Sequence, residues 1–560
     1  MYSFILPRQL YGLLYSGFTH QGTGHTGEHN GNKKAFLKKN ATGEDIMIWI
    51  VLILGVILVL ISAYGYKLSS KTAADYLLAG RAIGTFVMFF YVYFAISSAW
   101  TFYGFPGTIY NTGPGFMLFF SFISFAFLYV LIGPKLWAGG KKYGYISPVQ
   151  YLGERYQSNA LRLIVSGLLV LFLFPYLGLQ AVGIGAGMKA AVGLPFWFGA
   201  LYMTVIMLLI CLIGGTRSVA WLNVLLGIIF TATFWGFLVW IMFATDNSSL
   251  TAMAEKVKVL KPGLLGVPGP VNAWTTQSLM GLALAGLTVF AWPHIVIGTM
   301  QAKSLVVVRK TAIAMLLFSI FFCNIAAIWG YLVAPILIPG LKGKAADAVV
   351  QMAITQYLPV WASGATLIAV LAAAISTVAT QLMITGLLVS RDIVFAVSKP
   401  SDKALILWSR YAMIGASVVS FALAMARPAE LGLLLSNIAS PGFAMWIPAL
   451  LGGVLWKRGT KEGAITGLLV GLALLIGGSY FYKPLLLGFH PIFIPLLVNT
   501  VLYIGVSLVT SPVSKEVQHK FFDELEDYLL EYTAYERAKS VKPVRDEIER
   551  VKPEAEPVNA

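Results

Sequence analysis

The stretch VWASGATLIAVLAAAISTVATQLMITGLLV, residues 360–389, decides how the rest of the chain is read, and Ala373-Ala374-Ile375-Ser376-Thr377 is its centre. About twenty apolar residues cross a bilayer, so this run is long enough to span with tilt. Ala373, Ser376 and Thr377 stand at i, i+3 and i+4, which places two hydroxyls and one backbone carbonyl on one helical face at mid-membrane depth. Such a face is half of a shell for a bare monovalent cation. The same residues also suit a plainer role, because Ser and Thr in membrane helices bond back to their own helix or sit at small-residue helix contacts. What the chain sets opposite decides between the two.

With 58% hydrophobic and 11% charged residues, the chain lies far from a soluble composition and reads as a polytopic helical membrane protein. Its net charge of +16 is carried in short loops between apolar runs and not along a face interleaved with aromatics, which excludes a nucleic-acid partner. Cys211 and Cys323, the two cysteines, both fall inside predicted spans, so neither a disulfide framework nor a thiolate metal site is expected.

Outward from residues 360–389, the hydropathy pattern predicts about thirteen transmembrane helices: 47–66, 83–110, 116–134, 161–190, 195–214, 220–244, 276–299, 311–336, 360–389, 404–426, 432–456, 464–482 and 491–510, numbered here as spans one to thirteen. An odd number sets the termini on opposite sides. The loops carrying Lys67, Lys71 and Arg81, then Lys135, Lys141, Lys142 and Arg155, and later Lys303, Arg309, Lys310, Lys457 and Arg458 share one side. The positive-inside rule makes that side cytoplasmic. A multi-pass protein of the plasma membrane is expected, with its N-terminus outside and its C-terminus cytoplasmic.

Spans two to six and seven to eleven form two groups of five that enter the membrane from opposite sides, the arithmetic of an inverted repeat with halves at about 83–245 and 276–457. In such transporters the first helix of each half is discontinuous and lines the site near the midplane. Both candidates carry breakers. Span two has Ser97-Ser98 and then Gly104-Phe105-Pro106-Gly107, and span seven has Gly286 and then Trp292-Pro293-His294. Flanking this transporter domain, taken as 47–511, residues 1–46 read as a disordered extension and 512–560 as a cytoplasmic tail. Within the tail, Val517, Phe521, Leu525, Tyr528, Leu529 and Tyr532 fall at helical spacing, predicting an amphipathic helix that lies on the bilayer or on the transporter body.

An ordered set of segments now resembles the sodium:solute symporter family, and its pantothenate permease branch most closely. These are Asp75-Tyr76-Leu77-Leu78-Ala79-Gly80-Arg81, Gly104-Phe105-Pro106-Gly107, Trp292-Pro293-His294-Ile295, residues 373–377, the run from Pro448-Ala449-Leu450 through Trp456-Lys457-Arg458 to Gly463-Ala464, and Gly488-Phe489-His490-Pro491. The resemblance implies an all-α polytopic fold with an inverted five-helix repeat, the LeuT-like fold. It also implies a sodium site between spans two and nine. On the matched motifs, its ligands are the carbonyls of Phe94, Ser97 and Ala373 and the hydroxyls of Ser376 and Thr377. Three departures stand out. An Asp that some members carry beside the first-helix carbonyls is Ile96 here, the aromatics of proline transporters are Ala285 and Val289, and an Asp and a Gln of the fifth core helix are Asn223 and Leu226. The second departure argues against proline, and the third puts an Asp-based sodium exit path in doubt.

No Asp, Glu, Lys or Arg falls mid-span as drawn, which removes the usual proton relay and favours sodium as coupling ion. An enzyme is not expected: His294 and His490 make no paired axial haem ligands, and the cytoplasmic acids Asp75, Glu154, Asp392 and Glu462 are scattered in sequence. The expected function is sodium-coupled symport of a small organic solute, with sodium and the lipid bilayer as partners and no organic cofactor; the sequence sets no oligomeric state. A monocarboxylate or pantothenate-like anion is the expected solute. Ser98, Trp100, Thr101, Gly104, Thr288, Val289 and Trp292 are the candidate solute-binding residues at the two breaks. A proton-coupled or uncoupled transporter of the same fold, or a ligand-gated channel or receptor, is the alternative.

Overall fold

Apolar runs that cross hydrocarbon must close their backbone hydrogen bonds internally, and a helix does so within one segment. The computed structural model describes residues 28–67, 72–120, 128–426 and 435–540, and every regular element among them is helical. Nine runs among the described residues are long and apolar enough to span. One of them, Phe196–Ala244, holds spans five and six joined at Gly215. Span two is the broken stretch from Thr85 to Thr112, and span thirteen is the helix Phe493–Val509. Part of span three lies outside the described residues.

Gly215 shows why the join needs glycine. Its φ of +64° and ψ of −174° are closed to residues with a Cβ. A Cβ there would also stand 2.7 Å from the Tyr76 ring. Beside it Thr216 Oγ1 donates to the Leu77 carbonyl at 2.8 Å, tying the turn to the segment before span two.

The chain divides into two units, residues up to Ile50 and residues from Val51 onward. A helix runs Glu28–Lys67, across the Met47 boundary expected from the sequence. Once an apolar segment has formed helix, each added residue gains one hydrogen bond without a new nucleus. Residues 1–27 lie outside the described residues, as do those beyond 540.

The tail forms Lys515–Gln518, a wide turn over His519–Asp523, and the helix Glu524–Ser540. Of the two settings open to it, the body is the one found: Phe521, Phe522 and Leu525 are buried. The Phe521 ring lies parallel to Tyr145 at 6.0 Å and edge-on to Tyr151 at 5.0 Å.

Two acids that are scattered in sequence are paired in space. Asp392 Oδ1 accepts from Arg162 Nε at 3.0 Å with no exposure of its side chain, and Asp75 meets Arg217 at 2.6 Å. Both pairs sit at span ends, which is why a search of span centres passes over them.

Candidate functional site

Span two breaks because side chains compete for its N–H groups. The helix Thr85–Phe94 stops, and helical turns resume at Trp100. Between them Ser98 and Thr101 form a reciprocal cap. Thr101 Oγ1 accepts the Ser98 N–H at 3.1 Å, and Ser98 Oγ accepts the Trp100 N–H at 3.1 Å. Ala99 N–H donates to Gln180 Oε1 at 3.1 Å, and Thr101 N–H turns back to the Ser98 carbonyl at 2.9 Å. The Phe94 and Ser97 carbonyls therefore lose the i+4 N–H groups, those of Ser98 and Thr101, that a continuous helix would give them.

The face of span nine read from spacing stands opposite those carbonyls. Ser376 Oγ lies 2.8 Å from the Phe94 carbonyl and 2.8 Å from that of Ala373. Thr377 Oγ1 lies 3.1 Å from Phe94, 3.3 Å from Ser97 and 3.1 Å from Ala373. All five residues are buried, with Ser97 the most exposed at 4%. The two hydroxyls carry two protons, so the five approaches cannot all be hydrogen bonds at once. Oxygen lone pairs facing each other without a proton repel, and a small cation among them reverses the sign. The donor set is all oxygen, with no carboxylate and no titratable group, which suits a hard monovalent ion. Among the described residues no cluster of three His, Cys, Asp or Glu forms a metal site of another kind.

One turn along span nine, Thr380 Oγ1 donates to the Ser376 carbonyl at 2.9 Å and accepts from Asn223 Nδ2 at 3.2 Å. Asn223 thus occupies the place beside the site where an Asp is common, and Leu226 is buried apolar packing. Gln381 follows, buried, with neither amide atom hydrogen bonded.

Span seven breaks too, but not at Gly286, which stays inside the helix Thr276–Leu287. There it permits close approach to the Leu118 carbonyl, 2.5 Å from where a Cβ would sit. The break is a tight turn over Thr288–Ala291, an extended Trp292 with ψ of 133°, and a restart at Pro293. Proline suits that first position because its missing N–H has no helical partner there.

The solute-binding candidates divide by role. Ser98 and Thr101 cap the first break, and Gly104 accepts from Thr108 Oγ1 through its carbonyl at 2.7 Å. Trp100 stacks on Phe105 at 5.2 Å and meets Phe119 at 5.9 Å, so its ring belongs to an aromatic packing cluster. Thr288 Oγ1 donates to the Ala285 carbonyl at 2.8 Å, and Val289 is buried beside it in the same turn. Trp292 stands 5.3 Å from Tyr176, 5.6 Å from His294 and 6.0 Å from Phe443. Trp292 Nε1, Tyr176 OH and both His294 nitrogens are buried without a hydrogen-bond partner. Buried polar atoms are nearly always satisfied, so this orphaned group marks a place that a polar ligand or water completes.

Tyr176, Gln180 and Phe443 stand at the two breaks and are not among the candidates read from the sequence. Tyr176 and Gln180 are one helical turn apart on the helix Asn159–Val192, so one element touches both breaks. Phe443 belongs to the short helix Ser440–Ala444, and the Ser440-Pro441-Gly442 run within span eleven is a breaker signal of the same kind as in spans two and seven.

The chain matches the sodium:solute symporter family over residues 76–471. It is 26% identical over 484 residues to the high-affinity proline transporter PutP of Bacillus subtilis, covering 83% of this chain and 98% of that one. It is 25% identical over 474 residues to a sodium/proline symporter of Staphylococcus aureus, covering 81% and 91%. These relatives are proline symporters, so the family resemblance holds while the narrower one to the pantothenate branch is not supported. Among solved structures, a substrate-bound, outward-open Na+-coupled sialic acid symporter superposes with a TM-score of 0.69 at 19% identity, covering 84% of this chain and 99% of that one. Mhp1, a nucleobase-cation-symport-1 family transporter, superposes with a TM-score of 0.54 at 13% identity, covering 80% and 98%. With its broken helices and its membrane-spanning fold in place, this chain belongs to the sodium:solute symporter family.

Proposed function

We propose that the protein is a sodium-coupled symporter that carries a small carboxylate-bearing solute inward, with sodium held by the carbonyls of Phe94, Ser97 and Ala373 and the hydroxyls of Ser376 and Thr377. The observation that carries this reading is the meeting of five oxygens from two distant segments around two shared protons. Coupling follows from position. The cap of Ser98 and Thr101 fixes the break that supplies two ligands, and the same break faces the helix that carries Gln180 and Tyr176. Ordering this break around sodium orders one wall of the solute site, so each ligand binds better when the other is present.

Proline is the first solute candidate, because both relatives named above carry it. Energetics support a zwitterion over an anion. The membrane potential supplies about 2.3 kcal/mol per charge per 100 mV, so one sodium with one anion gains nothing from it while one sodium with one zwitterion gains the full amount. A monocarboxylate or pantothenate-like anion is the second reading, favoured by the small side chains Ala285 and Val289 at the second break. A carboxylate from either solute finds half-helix N-termini near Ser98 and near Trp292-Pro293, whereas Thr288 caps the C-terminal end of its helix. Proteoliposome uptake of labelled proline, with and without an inward sodium gradient, tests the assignment. Saturable sodium-driven uptake, unaffected by excess pantothenate, pyruvate, lactate or acetate, is expected. Uptake blocked by those acids moves the assignment to the second reading, and uptake driven by a pH gradient without sodium defeats both.

A further inference from the structure

Adjacent residues of the tail, Asp523 and Glu524, hold two different parts of the transporter on the side where the tail emerges. Asp523 Oδ1 is 2.6 Å from Lys457 Nζ, in the loop between spans eleven and twelve. Glu524 accepts from Tyr143 OH at 2.8 Å and pairs with Lys142 at 3.3 Å, both at the end of the helix Gly133–Tyr143.

Each of these two attachment points is wired into its own set of helices. The helix Gly133–Tyr143 is tied to the far end of span seven and the start of span two: Trp137 Nε1 donates to the Ala302 carbonyl at 3.1 Å, and Lys303 N–H to the Ile83 carbonyl at 3.0 Å. Lys457 belongs to a second set. Arg155 donates to the Trp456 and Lys457 carbonyls at 3.1 and 3.0 Å, and Tyr156 OH to the Ala449 carbonyl at 2.9 Å. The first set contains both broken helices. Alternating access in folds of this kind is rocking of one bundle against the rest.

The apolar anchors straddle the same division. Phe522 is buried between Lys135 at 5.2 Å from the first set and Arg155 at 5.0 Å from the second. Phe521 fills the cup of Tyr143, Tyr145 and Tyr151, and Tyr532 packs edge-on to Trp137 at 4.7 Å. We propose that residues 515–540 act as a latch that joins the broken-helix bundle to the loop at Lys457 and restrains opening on the tail side. The ion pairs are the adjustable part, since Lys457 and Asp523 are about half exposed. Charges so exposed are screened as the Debye length falls from about 10 Å at 0.1 M salt to about 3 Å at 1 M. Rising ionic strength on the tail side therefore loosens the latch while the aromatic anchors keep the tail docked.

The inference does not depend on which solute is carried, and its test needs none. Spin labels are placed at Lys310→Cys and Lys461→Cys, one on each side of the division and outside the latch, in full-length protein with Cys211→Ser and Cys323→Ser. With the native tail, one short distance is expected, and added KCl should broaden it toward longer values. Phe521→Ala with Phe522→Ala should raise the long-distance population roughly tenfold, the change that 1.4 kcal/mol produces. Should that variant fold poorly, Asp523→Asn, Glu524→Gln and Glu526→Gln, the last removing a carboxylate 3.8 Å from Lys135 Nζ, together remove the ion pairs without touching the apolar anchors. They should give the long distance at low salt and abolish its response to KCl. Distances that match the native ones in both variants overturn the latch.

Discussion

The Ser376 hydroxyl lies 2.8 Å from the Phe94 carbonyl, 282 residues away in sequence. That contact needs span nine to present its hydroxyl face to the end of the helix Thr85–Phe94, where span two breaks. It therefore tests the fold and the site together.

The cap at the first break should be worth about 1 kcal/mol, as for helix caps generally. Thr101→Ala removes the acceptor for the Ser98 N–H and frees it to return to the Phe94 carbonyl as continuous helix. Thermal unfolding of the purified variant should shift down by a few degrees, and its apparent sodium affinity should fall with it. Thr101→Ser keeps the oxygen and should restore both. Equal loss in the Ala and Ser variants would mean that the methyl group, and not the cap, matters.

The buried pair of Arg162 and Asp392 should behave as a unit. Removing one partner leaves an uncompensated buried charge, at a cost of about 3–5 kcal/mol. Asp392→Ala should sharply reduce folded protein in the membrane. Arg162→Ala combined with Asp392→Ala should recover part of the loss, which a fluorescence-detected size-exclusion profile reads directly. A double variant as unstable as the sum of the two single ones would contradict the pairing.

Much of this architecture is legible in the sequence, for reasons that differ by element. Spans are legible because length and apolarity alone decide them, and the two-hydroxyl face at Ser376 and Thr377 because helical spacing is fixed. The breaks are legible only as clusters of Ser, Gly and Pro. Which residue actually breaks is set by competition for N–H groups, as between the Gln180 side chain and the helix at Ala99, and that contact is invisible locally. Trp100 reads as a binding residue by its place at the break, yet tertiary packing on Phe105 and Phe119 claims its ring. Tyr176 comes from a span whose place at both breaks shows only once the helices are assembled, whereas Phe443 follows the Ser440-Pro441-Gly442 breaker, a local signal.

The Lys and Arg bias of the loops predicts an external N-terminus and a cytoplasmic tail. In protein with Cys211→Ser and Cys323→Ser, a cysteine at Ser249→Cys should react with an impermeant reagent added outside intact cells, and one at Ser514→Cys only after permeabilisation. The reverse pattern would invert the topology and place the tail latch on the outer face.

If two hydroxyls and three carbonyls bind the coupling ion, equilibrium binding of labelled sodium to purified protein measures that site without reference to any solute. Hydrogen-bond-strength contacts to a charged group are worth about 1.5–3 kcal/mol each. Ser376→Ala or Thr377→Ala should therefore weaken sodium binding roughly tenfold to a hundredfold, since each 1.4 kcal/mol is a factor of ten. Because none of the five ligands titrates near neutrality, the native affinity should stay flat across neutral pH. Combining Ser376→Ala with Thr377→Ala should abolish saturable binding in protein that remains folded; native sodium affinity in that double variant would contradict the account.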